Sequence, residues 1–136
     1  MIYVYLCSMG ANLAPEENFA KARSKLTPLG EIHYSRAVYT KPVDIDTEHD
    51  FLNSLFVIAT QLDAEVLKMA FNKIETELGR DRDDPECSKK DRPMDIDILG
   101  AIDEDVWESV PAYLASAIPS LQPIAQRLTE QEQVTL

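Results

Sequence analysis

The sequence lacks the features that mark elongated, membrane-spanning or disulfide-stabilised proteins. Its 136 residues contain no internal repeat, no low-complexity tract and no Gly/Ser-rich linker. No apolar run approaches the roughly 18 residues of a membrane span, and no basic leader typical of a signal peptide follows Met1. Two cysteines, Cys7 and Cys87, are too few for a disulfide framework. We therefore expect a single domain over residues 1–136 in a reducing, cytoplasmic setting.

Positive charge is also scarce. The chain has 13 Lys and Arg residues against 24 Asp and Glu residues, a formal net charge of -11. Because nucleic acids and acidic membranes are themselves negative, this surface argues against general binding to either. We expect small-molecule partners, with no nucleic acid and no membrane, and a monomer or weak dimer. Any anion site must depend on local basic residues.

The hydrophobic pattern predicts the element order β-α-β-β-α-β. Strands are predicted over residues 2–7, 31–40, 51–61 and 94–99, with a turn at 9–13 and alternating Ile32, Tyr34 and Val38 in the second strand. The predicted helices begin near Pro15 and after the N-cap Asp63. This order is typical of an α+β, ferredoxin-like split βαβ sandwich, an antiparallel sheet with helices packed on it.

Prolines and glycines set the expected ends of these elements. Gly79 is expected to end the second helix as its C-terminal cap. After the last strand, Pro111, Pro119 and Pro123 predict only short helical pieces. The long polar segment 80–92, which contains Pro85, is typical of a functional loop.

An acidic pair stands in the apolar run 94–99. In a strand, Asp95 and Asp97 would point to one face roughly 7 Å apart, while Met94, Ile96 and Ile98 would face a core. Two half-buried carboxylates repel each other unless a cation lies between them. Mg²⁺ often binds through one or two carboxylates plus substrate phosphates. Such pairs also occur as solvated edge or turn residues.

A basic cluster directly precedes the acidic pair. Five of the 13 basic residues fall within thirteen positions: Arg80, Arg82, Lys89, Lys90 and Arg92. In an acidic chain, cations beside a carboxylate pair are what metal-assisted phosphoryl transfer requires, because they stabilise charge that develops on the phosphates.

Four motifs, in order, resemble the 6-hydroxymethyl-7,8-dihydropterin pyrophosphokinase family of folate biosynthesis. Gly10-Ala11-Asn12-Leu13 resembles the family's Gly-Ser-Asn-Leu, and Phe51-Leu52-Asn53 resembles its aromatic-Leu-Asn segment. Ile74-Glu75 with Gly79-Arg80-Asp81-Arg82 resembles the helix end before its catalytic loop. Arg92-Pro93-Met94-Asp95-Ile96-Asp97-Ile98 resembles Arg-Thr-Leu-Asp-Leu-Asp-Ile. The resemblance covers nearly the whole chain.

The resemblance implies a reaction and a site. Such enzymes move the terminal diphosphate of ATP to the hydroxymethyl group of the pterin and leave AMP. By resemblance, Asp95 and Asp97 hold Mg²⁺, two ions in all, with ATP as co-substrate. The implied catalytic residues are Arg80, Arg82 and Arg92. The implied nucleotide contacts are Asn72, Glu75 and Tyr113, and the implied pterin contacts are Gly10, Pro42, Phe51 and Asn53.

The match is weaker in the C-terminal third. Ala112 stands where the family has a nucleotide-binding His, and Ala117 where it has Arg, so two contacts are missing. Three functions therefore stay open: a working pyrophosphokinase, a non-catalytic relative that binds nucleotide or pterin as a regulatory module, or a metal-dependent phosphohydrolase. The retained Arg92, Asp95 and Asp97 favour the first.

Overall fold

The structure is a computed structural model that describes residues 1–41, 49–80 and 93–134. Within these ranges the strands are β1 (Tyr3–Ala11), β2 (Glu31–Tyr34), β3 (Val38–Thr40), β4 (Phe51–Thr60) and β5 (Asp95–Ala101). The α-helices are α1 (Pro15–Leu26), α2 (Ala64–Glu77) and α3 (Ile118–Val134), and short 3₁₀ helices cover Thr27–Leu29, Val106–Ser109 and Ala112–Ala117. No helix in the described ranges is long and apolar enough to cross a bilayer.

The strands form one antiparallel sheet. β1 lies between β4 and β5, while β2 and β3 follow one another along the far edge of β4. With β2 and β3 taken as one interrupted edge strand, the sheet has the four-strand layout of the ferredoxin-like fold. The predicted α+β class is confirmed.

The predicted edge strand 31–40 is interrupted because it contains one residue more than the facing part of β4. Between the last pair of β2 and the first pair of β3, three edge residues oppose two residues of β4, which is a β-bulge. Ser35 holds this point, since its N–H donates to the Leu55 carbonyl and its Oγ accepts from the Leu55 N–H, both at 2.9 Å. Val38 then packs on the sheet face opposite to Ile32 and Tyr34. The predicted regular alternation is wrong there.

Both faces of the sheet are covered. The α1/α2 core lies between one face and helices α1 and α2, and it includes Cys7, Phe19, Phe56, Phe71, Met94 and Ile96. The α3 core lies on the other face beneath α3 and the last two 3₁₀ helices, and it includes Leu6, Leu55, Val57, Leu114, Leu121 and Leu128. Ile98 is partly buried against the α1/α2 core, so the predicted orientation of the apolar residues in β5 is confirmed.

Helical structure after β5 is more extensive than predicted. α3 spans 17 residues and contains Pro123 in its interior. Pro119 lies in the first turn, where a backbone N–H has no intrahelical acceptor in any case, and Pro123 removes one hydrogen bond near the same end. Burial of Leu121, Ala125 and Leu128 offsets this loss. The prediction of only short pieces is wrong because packing, rather than the prolines, sets the helix length.

The first strand also continues beyond its prediction. β1 runs to Ala11, because its residues stay paired with β4 up to Ala11 and with β5 up to Gly10. The predicted turn at 9–13 is therefore wrong over its first three residues. As a result Gly10 is a strand residue between two neighbouring strands.

The start of α2 supports a direct test of the capping argument. The Asp63 carboxylate accepts a hydrogen bond from the Val66 N–H at 2.9 Å, as an N-cap does. We expect Asp63→Ala to lower the free energy of unfolding by about 1 kcal/mol, because that N–H loses its partner. Asp63→Asn is the control, since it keeps the cap and removes the charge. Equal losses in both variants by urea denaturation would mean that charge, and not capping, matters here.

Candidate active site

One end of the sheet face that carries the α3 core is polar. On this face Asp95 in β5 is opposite Gly10 in β1, which is in turn opposite Asn53 in β4. In the next row Asp97 is opposite Ser8. Asp95 and Asp97 share the face, as their spacing predicted, because side chains alternate along a strand.

These polar rows line a cleft that several parts of the chain share. β1 supplies Ser8 and Gly10, β4 supplies Phe51 and Asn53, and β5 supplies Asp95 and Asp97. The end of β3 adds Thr40 and Lys41, and the 3₁₀ helix Ala112–Ala117 adds Tyr113 and Leu114. Carboxylates thus lie at one side of the cleft and an aromatic–amide pair at the other, where they can serve two different ligands.

Asn53 is held firmly in the cleft wall. Its side chain is buried, and its Nδ2 donates to Thr40 Oγ1 at 2.6 Å. Its Oδ1 lies above Gly10, where an added Cβ would come within 2.5 Å of that oxygen. Glycine at this position therefore makes room for the amide of Asn53.

Behind Asp95 lies a buried ion-pair cluster. One nitrogen of Arg80, Nη1, donates to Asp95 Oδ1 at 2.8 Å and to Glu75 Oε2 at 3.1 Å. Glu75 is fully buried, and the Arg80 side chain is 10% exposed. Glu75 Oε2 also accepts from the Ile96 backbone N–H at 2.8 Å. The pair of aspartates is therefore tied to α2 through Glu75 and Arg80.

The end of α2 explains why Arg80 turns back to Glu75. Gly79 has a φ of +110°, its N–H donates to the Thr76 carbonyl, and the Arg80 N–H donates to the Glu75 carbonyl, both at 3.0 Å. This is the Schellman arrangement that ends many helices at a glycine. The predicted C-terminal cap at Gly79 is confirmed.

The acidic pair alone makes an incomplete metal site. Within residues 1–41, 49–80 and 93–134, no group of three or more His, Cys, Asp or Glu side chains is arranged to hold a metal ion. Two carboxylates on one face still suit Mg²⁺ where phosphate oxygens and waters complete its octahedral shell. The donor set therefore fits magnesium that arrives with a phosphate-bearing ligand.

Cys7 is close to this site but cannot act as its nucleophile. The thiol is buried in the α1/α2 core, on the opposite face from Asp97. Burial, with a smaller contribution from the Asp97 carboxylate, raises the pKa of Cys7 well above its usual range. Because the thiolate is the reactive form, this cysteine serves packing.

The structure brings together six of the twelve predicted site residues in the cleft: Gly10, Phe51, Asn53, Asp95, Asp97 and Tyr113. Arg80 and Glu75 lie directly behind Asp95. Asn72 is half-buried on α2, where its carbonyl accepts from Thr76 Oγ1. The other three, Pro42, Arg82 and Arg92, lie outside the described residues.

Sequence reasoning missed Thr40 and Lys41. Both line the cleft, and Thr40 orients Asn53. Their only signal is the pairing of Thr40 with Phe51 across β3 and β4. That pairing depends on the bulge at Ser35, which the sequence pattern did not predict.

Comparison with known proteins agrees with this geometry. The family model described as 7,8-dihydro-6-hydroxymethylpterin-pyrophosphokinase (HPPK) matches residues 6–128. Proteins from two strains of Porphyromonas gingivalis, both named 2-amino-4-hydroxy-6-hydroxymethyldihydropteridine pyrophosphokinase, are each 33% identical to this chain over 102 residues. The aligned region covers 73% of this chain and 69% of each relative.

Proposed function

This chain belongs to the 7,8-dihydro-6-hydroxymethylpterin pyrophosphokinase family, and we propose that it transfers diphosphate from ATP to 6-hydroxymethyl-7,8-dihydropterin in a Mg²⁺-dependent step. Family membership makes it a diphosphotransferase of folate biosynthesis. One observation carries the finer proposal. A single cleft contains both an aspartate pair suited to magnesium and phosphate, and an aromatic–amide pair suited to a flat heterocycle.

The aspartate pair serves the donor side. Asp95 and Asp97 would hold the two Mg²⁺ ions against the triphosphate. When bound, magnesium neutralises phosphate charge and orients the diphosphate for in-line displacement. The residues' own contribution is a fixed pair of oxygen donors on one strand, with Asp95 further held by the Arg80 guanidinium.

Asn53 and Phe51 serve the acceptor side. The amide of Asn53 can donate and accept hydrogen bonds at the edge of a nitrogen-rich ring, and the half-buried ring of Phe51 offers an aromatic face. Gly10 leaves room for that amide, and the family resemblance adds Pro42. Tyr113, 47% exposed in the cleft, is assigned to the nucleotide with Asn72.

The proposed step has a balanced course. The pterin hydroxyl oxygen attacks the β-phosphorus of ATP, and the bond from that phosphorus to the oxygen bridging to the α-phosphate breaks. AMP leaves with the bonding electron pair, and the hydroxyl proton is released. Cationic side chains stabilise the charge that spreads over the transferring group, a role proposed for Arg80, Arg82 and Arg92.

A product assay tests this function. Purified protein is mixed with ATP, Mg²⁺ and the hydroxymethyl dihydropterin, and the nucleotides are separated by chromatography. We expect AMP and pterin diphosphate in equal amounts, and no AMP when pterin or Mg²⁺ is omitted. Pterin-independent release of phosphate would instead favour a phosphohydrolase. Binding of both ligands without any product would favour a non-catalytic module.

The missing family histidine leads to a gain-of-binding prediction. Ala112 is exposed beside Tyr113, whereas Ala117 is partly buried against the α3 core. We expect Ala112→His to tighten ATP binding about tenfold, since a hydrogen bond to a charged group contributes about 1.5 to 3 kcal/mol. Ala115→His, on an exposed position of the same 3₁₀ helix, is the control. If calorimetry gives equal affinities for both variants, position 112 does not face the nucleotide.

Restoring the missing arginine is expected to be costly. Ala117 contacts the α3 core, so a long charged side chain there must displace apolar neighbours or reach around them to water. Ala117→Arg should therefore lower the thermal unfolding midpoint, while Ala112→His should leave it unchanged.

A further inference from the structure

β5 is an edge strand, and Glu75 occupies part of its open edge. β5 pairs with β1 on one side, and the Ile96 N–H donates to Glu75 Oε2 at 2.8 Å from α2. Ile96 stands between Asp95 and Asp97, so this one contact fixes the backbone at the centre of the aspartate pair. A carboxylate oxygen supplies the acceptor that a further strand would otherwise provide.

Glu75 also offsets the charge of Arg80. The Arg80 guanidinium is 2.8 Å from Asp95 and weakens the attraction of that carboxylate for a cation. The same Nη1 is 3.1 Å from Glu75, whose side chain is fully buried. Two carboxylates thus share one guanidinium, and Asp95 keeps negative charge for a metal ion.

We propose that Glu75 is a positioning residue for the aspartate pair and not a nucleotide contact. It sets the spacing of Asp95 and Asp97 through Ile96 and prevents Arg80 from neutralising Asp95. The cleft lining does not include Glu75, in keeping with action through other groups. The role in magnesium binding rests on the proposed function.

Glu75→Gln separates this role from a direct contact, because it keeps the shape and an acceptor for Ile96 but removes the charge. Glu77→Gln is the matched control. Glu77 is exposed two residues further along α2, where it pairs with Lys25 at 3.0 Å. The measurement is Mg²⁺-dependent binding of a non-hydrolysable ATP analogue, followed by calorimetry over a series of Mg²⁺ concentrations.

We expect the half-saturating Mg²⁺ concentration to rise about 10- to 100-fold in Glu75→Gln, the range for residues that orient metal ligands. It should stay unchanged in Glu77→Gln. Analogue affinity at saturating Mg²⁺ should return to the wild-type value. In the double variant Glu75→Gln/Arg80→Gln the Mg²⁺ dependence should move back towards wild type, because the cation that neutralises Asp95 is gone.

Other outcomes overturn the proposal. Analogue affinity that stays low at saturating Mg²⁺ would make Glu75 a nucleotide contact, and an equal shift in Glu77→Gln would indicate a general charge effect. If Glu75→Gln does not fold, Arg80→Gln alone should lower the half-saturating Mg²⁺ concentration, and no decrease there would overturn the proposal. A wild type that forms no AMP overturns the proposed function instead, since this binding test needs no turnover.

Discussion

Asp95→Asn and Asp97→Asn should each lower the rate of AMP formation about 100- to 1000-fold, the range for loss of a preorganised charge-stabilising group. Asparagine keeps the size of the side chain and one oxygen but removes the charge that magnesium requires. Asp97 is exposed, and Asp95 is partly exposed beside Arg80, which keeps Glu75 as a partner. Neither variant should therefore unfold.

Asp105→Asn controls for the loss of one charge in an acidic chain. Asp105 is exposed and precedes the 3₁₀ helix Val106–Ser109, with no side-chain capping hydrogen bond. Its rate and its Mg²⁺-dependent affinity for an ATP analogue should match the wild type. If Asp95→Asn and Asp97→Asn also bind the analogue with unchanged affinity, the aspartate pair is not the magnesium site.

Much of the fold followed from the sequence because local patterns and tertiary packing agree. Asp63 and Gly79 mark the two ends of α2, and the alternation in β5 separates Asp95 and Asp97 from the core residues. Prediction failed where pairing or packing overrode a local signal. Gly10 reads as a turn residue, yet strands on both sides of β1 keep it extended.

The candidate site divides in the same way. The aspartate pair is local in sequence, so its spacing was sufficient to predict one shared face. Lys41 and Thr40 reach the cleft only through the register of β3 with β4. The burial of Glu75 did have a signal. It lies four residues after the buried Phe71 and three before the half-buried Leu78, on the apolar side of α2.

Gly10→Ala should raise the KM for the pterin about 10- to 100-fold and leave the fold largely intact. An added Cβ would lie 2.5 Å from Asn53 Oδ1, closer than real Cβ contacts allow, so the amide must move. Because the clash is with the end of a side chain, rotation of Asn53 can relieve it at the cost of its 2.6 Å bond to Thr40. Loss of a hydrogen bond to the ligand then costs about 1 to 3 kcal/mol.

A double-mutant cycle separates this effect from general damage to β1. Asn53→Ala alone should weaken pterin binding by a similar factor, because the amide is lost. Gly10→Ala added to Asn53→Ala should change the KM little further, since no Oδ1 remains to collide with the new methyl group. The KM for ATP should stay near the wild-type value in all three variants, because Asp95 and Asp97 are unaltered. If the two substitutions instead act additively on the pterin KM, Gly10 affects the acceptor site by a route other than Asn53.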